Sequence, residues 1–195
     1  MIAAALAAAT AVVGGSFEAA AAEDPEPALA ALGPQPVGAT AVTAWAGTPF
    51  HGVRVDHGFG GGVDVGLGLD VRPSRVFRPS VQARVRALRA GPLQLTVRGT
   101  LARAMTSSAA LVPTTDGEVA LQLGYALLPR LAAFVEGSLL GTTDFTREHS
   151  AAFAQAQVGV SFAPPGPFSL LGSVGVMRGA RASRVVGTGG VAVRF

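Results

Sequence analysis

The 195-residue chain contains no cysteine, which excludes disulfides and thiolate metal sites and leaves thiols silent about the redox compartment. It also has no lysine, so all 15 basic residues are arginine, alongside heavy use of alanine, glycine, valine and proline that matches a GC-rich genome. Charged residues are scarce at 14% and aromatic ones at 6%, with a single tryptophan and a single tyrosine. The arginines are scattered and no aromatic-basic cluster accompanies them, so nucleic acid is not an expected partner despite a pI of about 10.9. After residue 22 no run of 18 apolar residues occurs, and a helical membrane span is not available there. What is present instead is 49% hydrophobic residues and a mean hydropathy of +0.44, with 26 glycines and 13 prolines. That is too apolar for an ordinary soluble surface and too rich in turn formers for long helices.

The apolar content is spread over short runs that alternate with small or polar residues, the period of a strand with two different faces. From residue 63 eight such runs can be followed. Val63, Val65, Leu67, Leu69 and Val71 oppose Asp64, Gly66, Gly68 and Asp70; Val81, Ala83, Val85 and Ala87 oppose Gln82, Arg84 and Arg86. Leu93 to Leu101 and Val119 to Leu127 repeat the pattern against Arg98 and Glu118, and Leu131 to Leu139 repeats it against Phe134 and Glu136. Runs ending at Phe162, Val176 and Phe195 complete the set. Each is roughly 9 to 12 residues, the length a tilted strand needs to cross a bilayer. Val42–Gly47 and Gly52–Phe59, where Val53 and Val55 oppose Arg54 and Asp56, add one hairpin. The expected fold is all-β, a transmembrane antiparallel up-and-down β-barrel of ten strands, with eight as the alternative.

The connections agree with this reading. Gly60–Gly62, Ala90–Pro92, Leu128–Pro129 and Pro164–Gly166 are tight turns, whereas 72–78, 105–116, 142–150 and 179–184 are longer and more polar. Bacterial outer-membrane barrels have short periplasmic turns and longer extracellular loops, and a periplasmic C-terminus puts every tight turn on the periplasmic side. The last residues, Gly189-Gly190-Val191-Ala192-Val193-Arg194-Phe195, carry a terminal aromatic with apolar residues two and four before it and a glycine six before it. They resemble the C-terminal signature of small bacterial outer-membrane β-barrels. The resemblance implies that Gly189, Val191, Val193 and Phe195 form the assembly signal read by the barrel-assembly machinery. It also implies an outer-membrane location among lipid and lipopolysaccharide.

At the other end, the apolar run Met1–Val13 and the small residues Ala19–Ala22 read as a signal peptide over 1–22, without a Lys or Arg before the apolar run. Residues 23–37, acidic and proline-rich, read as a flexible extension, and 38–195 as the barrel. The mature protein is expected to be a monomer.

If the polar parity faces inward, the lumen receives Arg54, Arg84, Arg86, Arg98 and Arg194 with Asp56, Asp64, Asp70, Glu118 and Glu136. Charges of both signs in so narrow a space pair with one another. The plainer consequence is a side-chain-filled lumen and a structural or interaction role. The alternative is a narrow passive channel with a charged lining. A third possibility is a lipid A-modifying barrel enzyme. Phe145–Ser150 faintly resembles the histidine-serine region of outer-membrane lipid A deacylases, but His149 and Ser150 are adjacent here and alternation sends them to opposite faces. No catalysis, cofactor or metal is expected. His51 and His57 lack a third and fourth ligand, and the glycines at 58–62 lack the Lys-Ser/Thr and helix of a phosphate loop. Arginines 72, 75, 78, 178, 181 and 184 fall in or beside outer loops, where lipopolysaccharide phosphates would meet them.

Overall fold

The computed structural model describes residues 27–48, 50–72, 76–106, 113–144, 149–180 and 182–195. The signal peptide expected over 1–22 and the acidic residues 23–26 lie outside the described residues. Ten antiparallel strands follow one another in the order of the chain. They are β1 (Thr40–Thr48), β2 (His51–Gly60), β3 (Val63–Arg72), β4 (Val76–Ala90), β5 (Leu93–Thr106), β6 (Thr114–Leu128), β7 (Leu131–Asp144), β8 (His149–Phe162), β9 (Phe168–Gly179) and β10 (Ser183–Arg194). Every strand pairs with its sequence neighbours, and β10 returns to β1, so the sheet is a closed barrel. Closure leaves no strand edge with unpaired backbone groups, which a sheet in lipid requires.

The seam runs from Ala41 opposite Arg194 to Thr48 opposite Gly187. Its last rung is an exchange in which Phe195 donates its N–H to the Thr40 carbonyl at 2.8 Å and Thr40 donates to the Phe195 carbonyl at 3.1 Å. The terminal residue thus lies in the closing pair. One end of the barrel carries the tight turns at Gly61–Gly62, Gly91–Pro92, Pro129–Arg130 and 163–167. Gly61 and Gly62 take φ of 59° and 73°, a left-handed pair that a two-residue hairpin requires and that glycine adopts without strain.

The strands differ from expectation in length and in one register. β4 and β6 have 15 residues and β5, β7 and β8 have 14, so much of what reads as loop at 105–116 and 142–150 is strand. Crossing takes about 9–11 residues, so this wall stands taller than β1–β3 at the loop end. In β4 a bulge between Arg86 and Leu88 shifts the alternation by one, and Leu88 takes the outward position in place of Ala87.

Residues 27–37 are not a flexible extension. Pro27–Leu32 form α1, a six-residue helix inside the turn end of the barrel against β6, β7 and β8. Leu29 is wholly buried and, with Leu32, packs on Ala126, Ala132, Phe134 and Ala163. Proline content alone reads as linker; the apolar residues Ala28, Leu29 and Leu32 find an apolar seat only because the barrel supplies one.

Candidate functional site

The polar parity of the strands lines the lumen, and four tiers of contacts can be followed from the turn end upward. In the lowest tier, β3 and β4 place Asp64 opposite Arg84, whose Nε donates to Asp64 Oδ1 at 3.0 Å. The Gln35 backbone N–H donates to Asp64 Oδ2 at 2.9 Å, and Arg194 Nε of β10 donates to Gln35 Oε1 at 2.9 Å. The segment after α1 is therefore tied to β3 and to the closing strand at once. Its seat is cut from small residues. A Cβ on Gly58 would lie 2.0 Å from the Pro36 carbonyl oxygen, and one on Gly124 would lie 3.2 Å from Leu29 and Leu32.

In the next tier Asp56 accepts from Arg54 Nε at 2.8 Å and from Gln82 at 2.9 Å. Above it Arg98 bridges two strands, reaching Glu118 and Glu136 at 3.0 Å each. Glu136 also accepts from Gln122 and Gln157, and Gln157 accepts from Ser173, which shares a hydrogen bond with Thr188. That chain of contacts runs around the wall from β5 to β10. At the loop end Arg78 donates to Asp70 at 2.6 Å and to Asp116 at 2.7 Å, with its guanidinium 5.4 Å from the Phe50 ring centre. A buried charge must be paired and hydrogen-bonded to remain ionised, and these groups are.

Of the expected lumen residues, Arg54, Asp64, Asp70, Arg84, Arg98, Glu118, Glu136 and Arg194 are joined in this way. Arg86 is not. It sits at the β4 bulge, and its Nε is buried with no hydrogen-bond partner. Arg78 is a loop arginine in the sequence reading and an inward strand residue in the structure, so it does not face an outer surface. Asp116 and Gln35 were not among the expected residues; carrying the alternation back from Glu118 places Asp116 on the same face, whereas nothing in the local sequence marks Gln35. Arg178 and Arg184 are exposed at the loop end, and Arg75 and Arg181 lie outside the described residues, as does the Arg72 side chain.

The lumen is lopsided. Long charged side chains stand on β2–β7, while β8–β10 and β1, apart from Arg194 at the turn end, present short or neutral ones such as Ser169, Ser173, Thr188, Ala192 and Thr43. Between the two walls lies a cavity of about 320 Å³, floored by Ala31, Leu32 and Gln35 and reaching up to Asp70 and Arg78.

The outer face is the reverse. Leu67 is 68% exposed and Leu139 69%, and Val53, Val81, Leu121, Val158 and Val174 stand out around the same belt. Exposed aromatics Phe59, Tyr125, Phe162, Phe168 and Phe195 gather toward the turn end, as in the girdle at a membrane interface. A closed sheet with apolar residues outside and charges inside has its solvents inverted relative to a soluble barrel. The chain is an outer-membrane β-barrel. No protein-family model matches it, and no curated protein does. Among solved structures it is similar to a loop L8 deletion mutant of OmpT, an outer membrane protein of Vibrio cholerae, at 11% identity and TM-score 0.46, over 75% of this chain and 53% of that one. KdgM porin matches at 11% identity and TM-score 0.45 over 80% and 99%. The N-terminal β-barrel domain of Pseudomonas aeruginosa OprF matches at 11% and 0.42 over 83% and 100%. The chain thus spans about half the length of OmpT. The membrane assignment rests on the barrel's own two faces.

The remaining candidates do not converge in this outer-membrane barrel. His51 accepts the Gly47 N–H at the loop end, and His57 shares a hydrogen bond with Thr40 at the turn end. Among the described residues no three His, Asp or Glu side chains gather to hold a metal. Ser150 is exposed and its Oγ lies 3.4 Å from that of Thr143, while the His149 side chain lies outside the described residues.

Proposed function

We propose that this protein is a closed barrel with a structural or interaction role in the outer membrane and no enzymatic activity. The observation that carries the reading is the α1 segment, seated on matched small residues and pinned through Gln35 to both Asp64 and Arg194. Above it the Arg98–Glu136–Gln157 contacts hold side chains in the lumen rather than against a free channel wall. The taller β4–β8 wall, with Arg178 and Arg184 exposed at the same end, is the surface offered to lipopolysaccharide phosphates or to a partner outside the cell. Planar-bilayer recording of the folded chain from residue 23 onward tests closure: no stepwise conductance is expected. Discrete steps would favour the narrow passive channel, a reading supported by the cavity of about 320 Å³. For the absence of catalysis, Ser150→Ala is expected to leave the lipid A species of expressing cells unchanged, and an altered profile would overturn it.

A further inference from the structure

We propose that the luminal cavity binds a small uncharged polyhydroxylated solute of monosaccharide size. Its volume of about 320 Å³ lies at the lower end of the roughly 300–1,000 Å³ typical of small-molecule sites. Its lining holds charged groups and neutral polar ones. On the charged wall, Arg54, Arg98, Glu118 and Glu136 are already committed to one another or to glutamines. Among the described charges that line the cavity, Arg194 at the floor is without a carboxylate partner, and its Nε is spent on Gln35, so an ion entering above it would give up its water to meet charges already neutralised.

The groups still available are neutral. Among the described residues, the side chains of Thr43, Thr100, Gln155 and Ser169 line the cavity and make no hydrogen bond to another residue. Alternation brings them there from β1, β5, β8 and β9, so they surround the space instead of occupying one patch. Hydroxyls donate and accept, and an amide does both through separate atoms, which suits a ligand whose own groups are hydroxyls.

Trp45 supplies the apolar element. Glycines on both flanking strands let its side chain lie against the wall: a Cβ on Gly52 would come within 2.5 Å of its Cζ2, and one on Gly190 within 3.2 Å of its Cβ. The Arg54 guanidinium lies 5.7 Å from its ring centre. An aromatic face is electron-rich and meets the positively polarised C–H bonds of a sugar ring, while the ring's hydroxyls reach the surrounding amide and hydroxyls. Few oriented polar groups around an aromatic surface are the general make-up of a small-molecule site. The inference goes beyond closure, because a cavity floored by α1 can hold a solute whether or not ions cross.

Trp45 is also the only tryptophan in the chain, so its emission reports on this cavity alone. The folded chain, held in a zwitterionic detergent without sugar groups, is titrated with glucose, glucuronate and glucosamine at constant ionic strength. The expected result is a saturable change in Trp45 emission with glucose in the millimolar range, and responses at least tenfold weaker for the two charged counterparts. Gln155→Leu and Thr43→Val are expected to raise the half-saturating glucose concentration at least tenfold with the melting temperature unchanged. If either variant does not fold, a glucose-dependent rise in the melting temperature of the unaltered protein, absent with glucuronate, serves in its place. A response that never saturates, or equal responses to all three solutes, overturns the proposal. Because the readout is fluorescence and not current, its failure leaves the question of closure untouched.

Discussion

Asp64 is wholly buried and takes the Arg84 guanidinium on one side and the Gln35 backbone N–H on the other. Removing Asp64 leaves the buried Arg84 with only the longer contact to Asp56 at 3.4 Å, and breaking a buried pair costs about 3–5 kcal/mol. Asp64→Ala is therefore expected to lower the unfolding free energy of the barrel, read from urea denaturation, by that amount. Replacing both members, as Asp64→Leu with Arg84→Met, should recover most of the loss, because the apolar pair leaves no orphaned charge. If the single and double changes are equally destabilising, the ion pair is not what Asp64 contributes. The membership of this residue in the lumen is legible in the sequence, since its parity opposes Val63 and Val65. Its partners are not, because Arg84 is matched to Asp64 by the β3–β4 register and Gln35 arrives from a different element.

Among the elements, α1 departs furthest from expectation. Pro25, Pro27, Pro34 and Pro36 dominate its surroundings and read as linker, and six residues are too few to make a stable helix alone. The helix exists because Ala126, Ala132 and Ala163 leave room for Leu29 and Leu32. Truncating a buried leucine costs about 2–5 kcal/mol. At 1.4 kcal/mol per factor of ten, Leu29→Ala should raise the released fraction of the segment at least tenfold. Limited proteolysis with mass spectrometry is expected to show correspondingly faster cleavage near residues 27–36 while the barrel stays intact. Gly58→Ala should act in the same direction, since its Cβ would collide with the Pro36 carbonyl. Unchanged cleavage in both would mean that the segment is held by something other than its seat. The β4 bulge is a second case: the run Val81–Ala87 gives no sign that Leu88 will take the lipid face, and only pairing with Leu95 selects it.

At the scale of the whole molecule, the barrel is set by its outer surface. Leu67 lies at the middle of β3 and is 68% exposed, so in the membrane it meets lipid. An arginine at the bilayer midplane of a barrel costs about 2–4 kcal/mol. Leu67→Arg is expected to lose that much folding free energy in lipid vesicles, and a loss well below 1 kcal/mol would place this face in water. Eight of the ten strands, their outward parity and the side on which the tight turns lie are written in the chain, because a strand's two faces alternate residue by residue and a turn needs particular residues at particular positions; the closed order fixed the first hairpin as the other two. The sequence by itself thus determined that this is a barrel in a membrane and, Leu88 at the β4 bulge apart, which residues face lipid. Only the tertiary structure decided that residues 27–37 enter the lumen, that Arg78 turns inward to Asp70 and Asp116, and that a cavity remains beside Trp45. Those outcomes depend on which side chains meet across the barrel, and contacts between residues far apart in the chain follow from closure and register, not from any local pattern.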